Sequence, residues 1–178
     1  MSSFPLLLFL SCGDKEHSPD DTTATSDTDT QPQDTGPVVP DPPDNFTLVT
    51  SGEMTENLSF DAPTCTLTNG APNFYAFWRS SSQSHVFVLK VELRGIYDGA
   101  GSYTGEQGLT IKLQEEAGGA GRFFQSDSTQ DSVTLTLETN EEGYIFGDAS
   151  IANMHSSSGS ISLSPSTFPI WCSPDNTN

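Results

Sequence analysis

An all-β fold is what the sequence predicts for residues 45–178: an antiparallel two-sheet β-sandwich of about eight to ten short strands, with a closed β-barrel as the runner-up. Three observations carry that expectation. Apolar and polar residues alternate with period two in several segments, as strands with one wet face require. Clusters of Gly, Asn, Asp and Pro (TNGAPN, YDGAGSYTG, EEAGGAG, TNEEG) punctuate those segments at short intervals. No run of helical period follows Asn45.

Taken in order, FTLVT from Phe46 and NLSFD from Asn57 are short candidate strands. FYAFWR from Phe74 is the third, and it is apolar on both faces. In HVFVLKVELR the residues Phe87, Leu89, Val91 and Leu93 fall on one face, with Lys90, Glu92 and Arg94 opposite. LTIKLQEE sets Leu109, Ile111 and Leu113 against Thr110, Lys112 and Gln114. SVTLTLET does the same with Val133, Leu135 and Leu137 against Thr134, Thr136 and Glu138. GYIFGD from Gly143, SISLS from Ser160 and FPIWC from Phe168 complete the set. The glycine-rich GAGSYTGEQG, from Gly99 to Gly108, reads as a hairpin connection, because no helix N-terminus follows it to make a phosphate cradle.

The 178-residue chain carries 24 acidic residues against 6 basic ones, a net charge of -18. With no run of Lys or Arg, nucleic-acid binding is not expected. From Cys12 to Asp44 nine acids face the single base Lys15, a net of -8. The segment after Cys12, GDKEHSPDDTTATSDTDTQPQDTGPVVPDPPD, has no aromatic residue and six prolines. Such a composition buries too little area to offset chain entropy, so residues 12–44 read as a disordered acidic tether. It would span about 30 Å as a coil and roughly 100 Å as polyproline II.

The apolar run from Phe4 to Leu10 is too short to cross a bilayer but has the length of a signal-peptide core. Its exit, Phe9-Leu10-Ser11-Cys12, resembles the lipobox of bacterial lipoproteins. That resemblance implies cleavage after residue 11, with Cys12 as the lipid-attachment residue carrying diacylglycerol and an acylated amine. Residues 1–11 are then a signal peptide, and the lack of Lys or Arg in Met1-Ser2-Ser3 suits an N-terminally truncated reading frame. The resemblance extends to the Asp/Thr/Pro tether of surface lipoproteins of Gram-negative bacteria. It implies a palmitate-bearing membrane anchor, and Gly13 rather than Asp after the cysteine points to the outer membrane.

With Cys12 assigned to lipid, Cys65 and Cys172 remain, and in an exported protein an even remainder reads as a disulfide. The alternative, a metal site of Cys65, Cys172, His85 and His155, lacks any closely spaced ligand pair. No metal or other cofactor is expected. A weak Ca²⁺ site at Asp127 and Asp131 is set against the plainer reading of solvated turn charges.

Catalytic signatures are few. There is no G-x-S-x-G elbow, and HSSSGS from His155 reads as a Ser/Gly loop. Glu115 and Glu116 are adjacent, so they point to opposite faces unless a bulge intervenes. The candidate binding patch is Tyr75, Phe77 and Trp78. Three placements compete for their strand: central and covered on both sides, edge with its outer rings under a loop, or exposed as an interaction site. The functional expectation is a lipid-anchored, non-enzymatic envelope protein binding another envelope protein or a polysaccharide. The alternative is an exported glycan hydrolase, which needs two converging carboxylates.

Overall fold

A computed structural model describes residues 41–43, 45–67, 72–80, 85–117 and 121–174. The signal segment, Cys12 and the tether up to residue 40 lie outside the described residues.

Thirteen strands are described: β1 (Phe46–Gly52), β2 (Asn57–Phe60), β3 (Thr64–Leu67), β4 (Phe74–Arg79), β5 (Val86–Leu93), β6 (Gly101–Thr104), β7 (Leu109–Ala117), β8 (Phe123–Gln125), β9 (Thr134–Thr139), β10 (Ile145–Ser150), β11 (Asn153–His155), β12 (Ser160–Ser164) and β13 (Thr167–Cys172). They form a nine-stranded sheet, β2-β1-β12-β11-β8-β7-β5-β4-β3, and a four-stranded sheet, β13-β10-β9-β6. Neighbouring strands run antiparallel in both sheets. The expected sandwich is therefore present, with a partial turn toward the barrel. Phe60, at the end of β2, bridges Ser80 just past β4, so opposite ends of the nine-stranded sheet meet. The large sheet curls into a half-barrel and the small sheet packs within its curve.

Nine strands coincide with the segments named from sequence; β3, β6, β8 and β11 are additional. β6 corrects the hairpin reading of GAGSYTGEQG. The chain leaves β5, pairs with β9 in the small sheet as β6, makes a 3-10 turn over Gly105–Gln107, and only then returns as β7 beside β5.

Alternation decides the core. Phe74, Ala76 and Trp78 on β4, Phe87, Leu89, Val91 and Leu93 on β5, and Leu109, Ile111 and Leu113 on β7 are all buried. Across from them, Leu135, Leu137, Ile145, Ala149, Phe168 and Ile170 fill the inner face of the small sheet. An aromatic seam joins the layers. Phe168 of β13 meets Trp78 edge-on at 5.5 Å and stacks on Phe46 at 6.0 Å, and Phe46 stacks in turn on Phe60 at 5.2 Å. Each such ring contributes about 1.5–3 kcal/mol by burial, and aromatic pairing adds about 0.5–1.5 kcal/mol. The small sheet also needs Gly147. At φ 152° a Cβ there would sit 1.9 Å from the Thr136 carbonyl oxygen, so only glycine lets β9 and β10 close.

Cys65 and Cys172 form a disulfide with Cα atoms 5.8 Å apart, 107 positions apart in sequence. It ties β3, the last strand of the large sheet, to β13, the first of the small one. The metal-site alternative for these cysteines is thereby overturned.

Among the described residues Glu115 is the one charged residue buried as a whole. A bulge sets Val86 opposite Ala117 and Phe87 opposite Glu115, leaving Glu116 as the extra residue. Glu115 continues the inward row of β7 and is 4 % exposed. Its carboxylate accepts from Arg122 Nε at 3.1 Å and from the Arg122 backbone N–H at 3.2 Å, and His85 Nδ1 lies 2.6 Å away. The Arg122 guanidinium also lies over the Phe87 ring at 5.1 Å. Arg122 chiefly, with His85 assisting, pulls the Glu115 carboxyl down from 4.5 to about 2 against the opposing effect of burial. Glu116 instead faces Arg79 at 3.6 Å on the exposed side, so the two carboxylates do not converge.

Replacing both Cys65 and Cys172 by alanine should lower unfolding free energy by about 2–5 kcal/mol, measured by urea titration, the usual cost of a disulfide closing a long loop. Because the Glu115 carboxyl sits below its unfolded value, its contribution is complete above pH 4.5 and disappears as pH falls toward 2. Thermal midpoints measured across that window should decline less steeply in Glu115→Gln than in the wild type. Arg122→Met, which strands the buried carboxylate, should cost about 3 kcal/mol.

Candidate outer-face binding site

Turning Phe74, Ala76 and Trp78 inward turns Tyr75, Phe77 and Arg79 outward, away from the small sheet. Phe77 is 38 % exposed and Tyr75 is half-buried. Of the three placements considered for this strand, the exposed one describes Phe77. Trp78, grouped with these residues from sequence, leaves the patch: it is 1 % exposed and belongs to the aromatic seam.

Strand register assembles the rest of the face. One row across the sheet runs Thr64, Phe77, Lys90, Lys112, Gln125, His155, Ser160. The row beside it runs Arg79, Val88, Gln114, Phe123, with Phe123 41 % exposed. On the other side lie Thr66, Tyr75, Glu92 and Thr110. Arg94, just past β5, holds its guanidinium 5.8 Å from the Tyr75 ring centre and bonds Glu92 at 3.0 Å. Lys112 Nζ bonds the same Glu92 oxygen at 2.5 Å. Rings and cations therefore share one open surface.

Where this face meets β11 there is a depression of ≈ 540 Å³ lined by Phe123, Gln125, Ser126, Asp127, Ser128, His155, Ser156 and Ser157. His155 Nε2 lies 3.1 Å from Asp131 Oδ1, and the other Asp131 oxygen accepts the Asp127 backbone N–H at 2.8 Å. Asp127 accepts from Thr129 and Gln130, which hold its carboxyl below the usual range. The two aspartates thus organise a turn, but the Asp131 side chain is 4 % exposed rather than solvated as expected. The HSSSGS loop is likewise committed to structure. Ser156 Oγ donates to Glu53 at 2.7 Å and Ser158 Oγ to the other Glu53 oxygen at 2.5 Å. Those hydroxyls lower the Glu53 carboxyl.

A second aromatic surface lies on the outer side of the small sheet, and the sequence reading did not assign it a role. Trp171 pairs in register with Phe146, Tyr144 tilts against Trp171 at 5.6 Å, and Asp41, Pro43, Glu138 and Asp148 complete a cavity of ≈ 300 Å³. Glu138 lies opposite Phe146 on β9, one diagonal step from Asp148, about 7–8 Å. These two carboxylates share one face of the small sheet, as the hydrolase alternative requires, and both stand exposed to water.

Sequence reasoning named Tyr75 and Phe77 but missed Phe123, Lys90, Lys112 and His155 as members of one surface. Their outward phase was visible in the alternation; the register that aligns them was not. No protein-family model, no curated protein and no solved structure matches this chain.

Proposed function

We propose that this chain is a lipid-anchored, non-catalytic envelope protein that displays a binding β-sandwich on an acidic tether at the outer membrane of a Gram-negative bacterium. The observation that carries the binding role is Phe77. A ring on a strand with a fully formed core beneath it has no packing reason to stand 38 % exposed beside Tyr75, on a face that also exposes Phe123 three strands away. The export and anchor reading is supported by the Phe9-Leu10-Ser11-Cys12 motif and by the Cys65–Cys172 disulfide, which persists in oxidising compartments. Dual or triple acylation at Cys12 would make attachment effectively permanent at about 0.8 kcal/mol per buried CH₂. The partner is an envelope protein or a polysaccharide reached across the tether.

A second reading, an exported glycan hydrolase, is favoured by one observation only: Glu138 and Asp148 beside Trp171. In a retaining or inverting reaction one carboxyl protonates the leaving oxygen and the other acts as nucleophile or base.

Cells grown with labelled palmitate should label the wild type and leave Cys12→Ala unlabelled. On a glycan array with a parallel envelope-lysate capture, Phe77→Ala should lose about tenfold or more in retention, as an aromatic anchor does, with an unchanged thermal midpoint. Reducing ends released from the array by the wild type but not by Glu138→Gln would transfer the assignment to the hydrolase.

A further inference from the structure

We propose that the outer face of β4, β5, β7 and β8 takes an anionic polysaccharide, its acidic groups on the cations and its sugar rings on the aromatics. This specifies the ligand class for the binding surface proposed above and rests on that reading. Charge segregation is the first observation. After residue 44 the chain has five Lys and Arg side chains, and Arg79, Lys90, Arg94 and Lys112 all stand on this face. Among the described residues Glu92 and Glu116 oppose them on these strands, leaving +2 there, and Asp127 in the adjoining depression brings the whole proposed site to +1 on a chain of -18. At physiological salt the Debye length is about 8 Å, so a ligand in contact with the face responds to its local charge more than to the acidic body behind it.

Register supplies the second observation. Lys90 and Lys112 lie directly opposite each other on adjacent strands, an arrangement that costs stability when nothing neutralises it. Glu92 answers Lys112 and Arg94, while Lys90 makes no ion pair among the described residues. An anionic group bridging the two ammonium groups removes that repulsion.

Shape and chemistry narrow the class further. Phe77 and Phe123 offer apolar ring faces of the kind that pack against the C–H face of a sugar. Beyond them, Gln125, Ser128 and Ser157 line the depression with side-chain polar groups bonded to no other described residue, suited to hydroxyls. Asp127 also lines it, but Thr129 and Gln130 occupy its oxygens. Four strands at about 4.8 Å spacing and some 20 Å of length give roughly 400 Å², half of the ~800 Å² per partner of a stable protein interface. A repeating polymer needs no larger footprint, since each chain engages many displayed copies.

The test measures binding of the full chain to immobilised polygalacturonate at about 0.15 M salt. Pullulan (neutral), poly-L-aspartate and phosphatidylglycerol vesicles run in parallel. Expected are binding to polygalacturonate above all three others, loss in 1 M salt, and affinity lower by about tenfold in both Lys90→Glu and Phe77→Ala at unchanged thermal midpoint. Preference for vesicles or poly-L-aspartate overturns the polysaccharide assignment. So does Lys90→Glu binding polygalacturonate as the wild type does. Pullulan binding lost in Phe77→Ala but kept in Lys90→Glu overturns the anionic ligand and leaves the binding surface standing. No binding in any arm, or binding indifferent to Phe77→Ala, removes both.

Discussion

Trp78 lies edge-on against Phe168 at 5.5 Å, and that contact joins the two sheets. Side chains alternate along a strand, so anchoring Trp78 inside commits Ala76 and Phe74 to the core and Tyr75, Phe77 and Arg79 to the outside. The aromatic density of β4 then serves two surfaces with one stretch of backbone. Shifting its register by one residue would bury Arg79 and expose Trp78, a change the core would not tolerate. The outer surface is thus fixed by the inner one.

Electrostatics follows the same division. Among the described residues a single cation, Arg122, turns toward the interior, where it bonds Glu115 and covers the Phe87 ring. The other four project from the outer face of neighbouring strands. An acidic chain that scattered its few bases at random would scarcely bring four to one face and place two of them directly opposite each other. The acids, meanwhile, sit largely in turns and loops or are bound to nearby hydroxyls, as Glu53 is to Ser156 and Ser158.

Much of this was legible before any coordinates. Phe87, Leu89, Val91 and Leu93, and likewise Leu135 and Leu137, lie on the core side as their alternation required. Cysteine counting paired Cys65 with Cys172. The strands that escaped, TCTL, GSYT, FFQ and NMH, hold three or four residues each, too few for a period to register. They exist because longer neighbours offer them hydrogen bonds, which is information held elsewhere in the chain. The patch was half legible for a related reason. Trp78 was grouped with Phe77 through adjacency in sequence, although alternation places them on opposite sides. Lys90 and Lys112 meet only through the β5–β7 register, which the bulge at Glu116 helps to set.

The entry point of the chain has a mechanical meaning. β1 is hydrogen-bonded on both flanks, to β2 and to β12, so freeing the strand that follows Asn45 means breaking two ladders rather than one. The crosslink from residue 65 to residue 172 lies downstream of both β1 and β2. Should that hairpin give way, extension would stop at the covalent tie, with β4 through β13 still enclosed within its loop. On the proposed anchoring and outer-face binding, the domain would bear tension in two stages, the first of which is free to re-form.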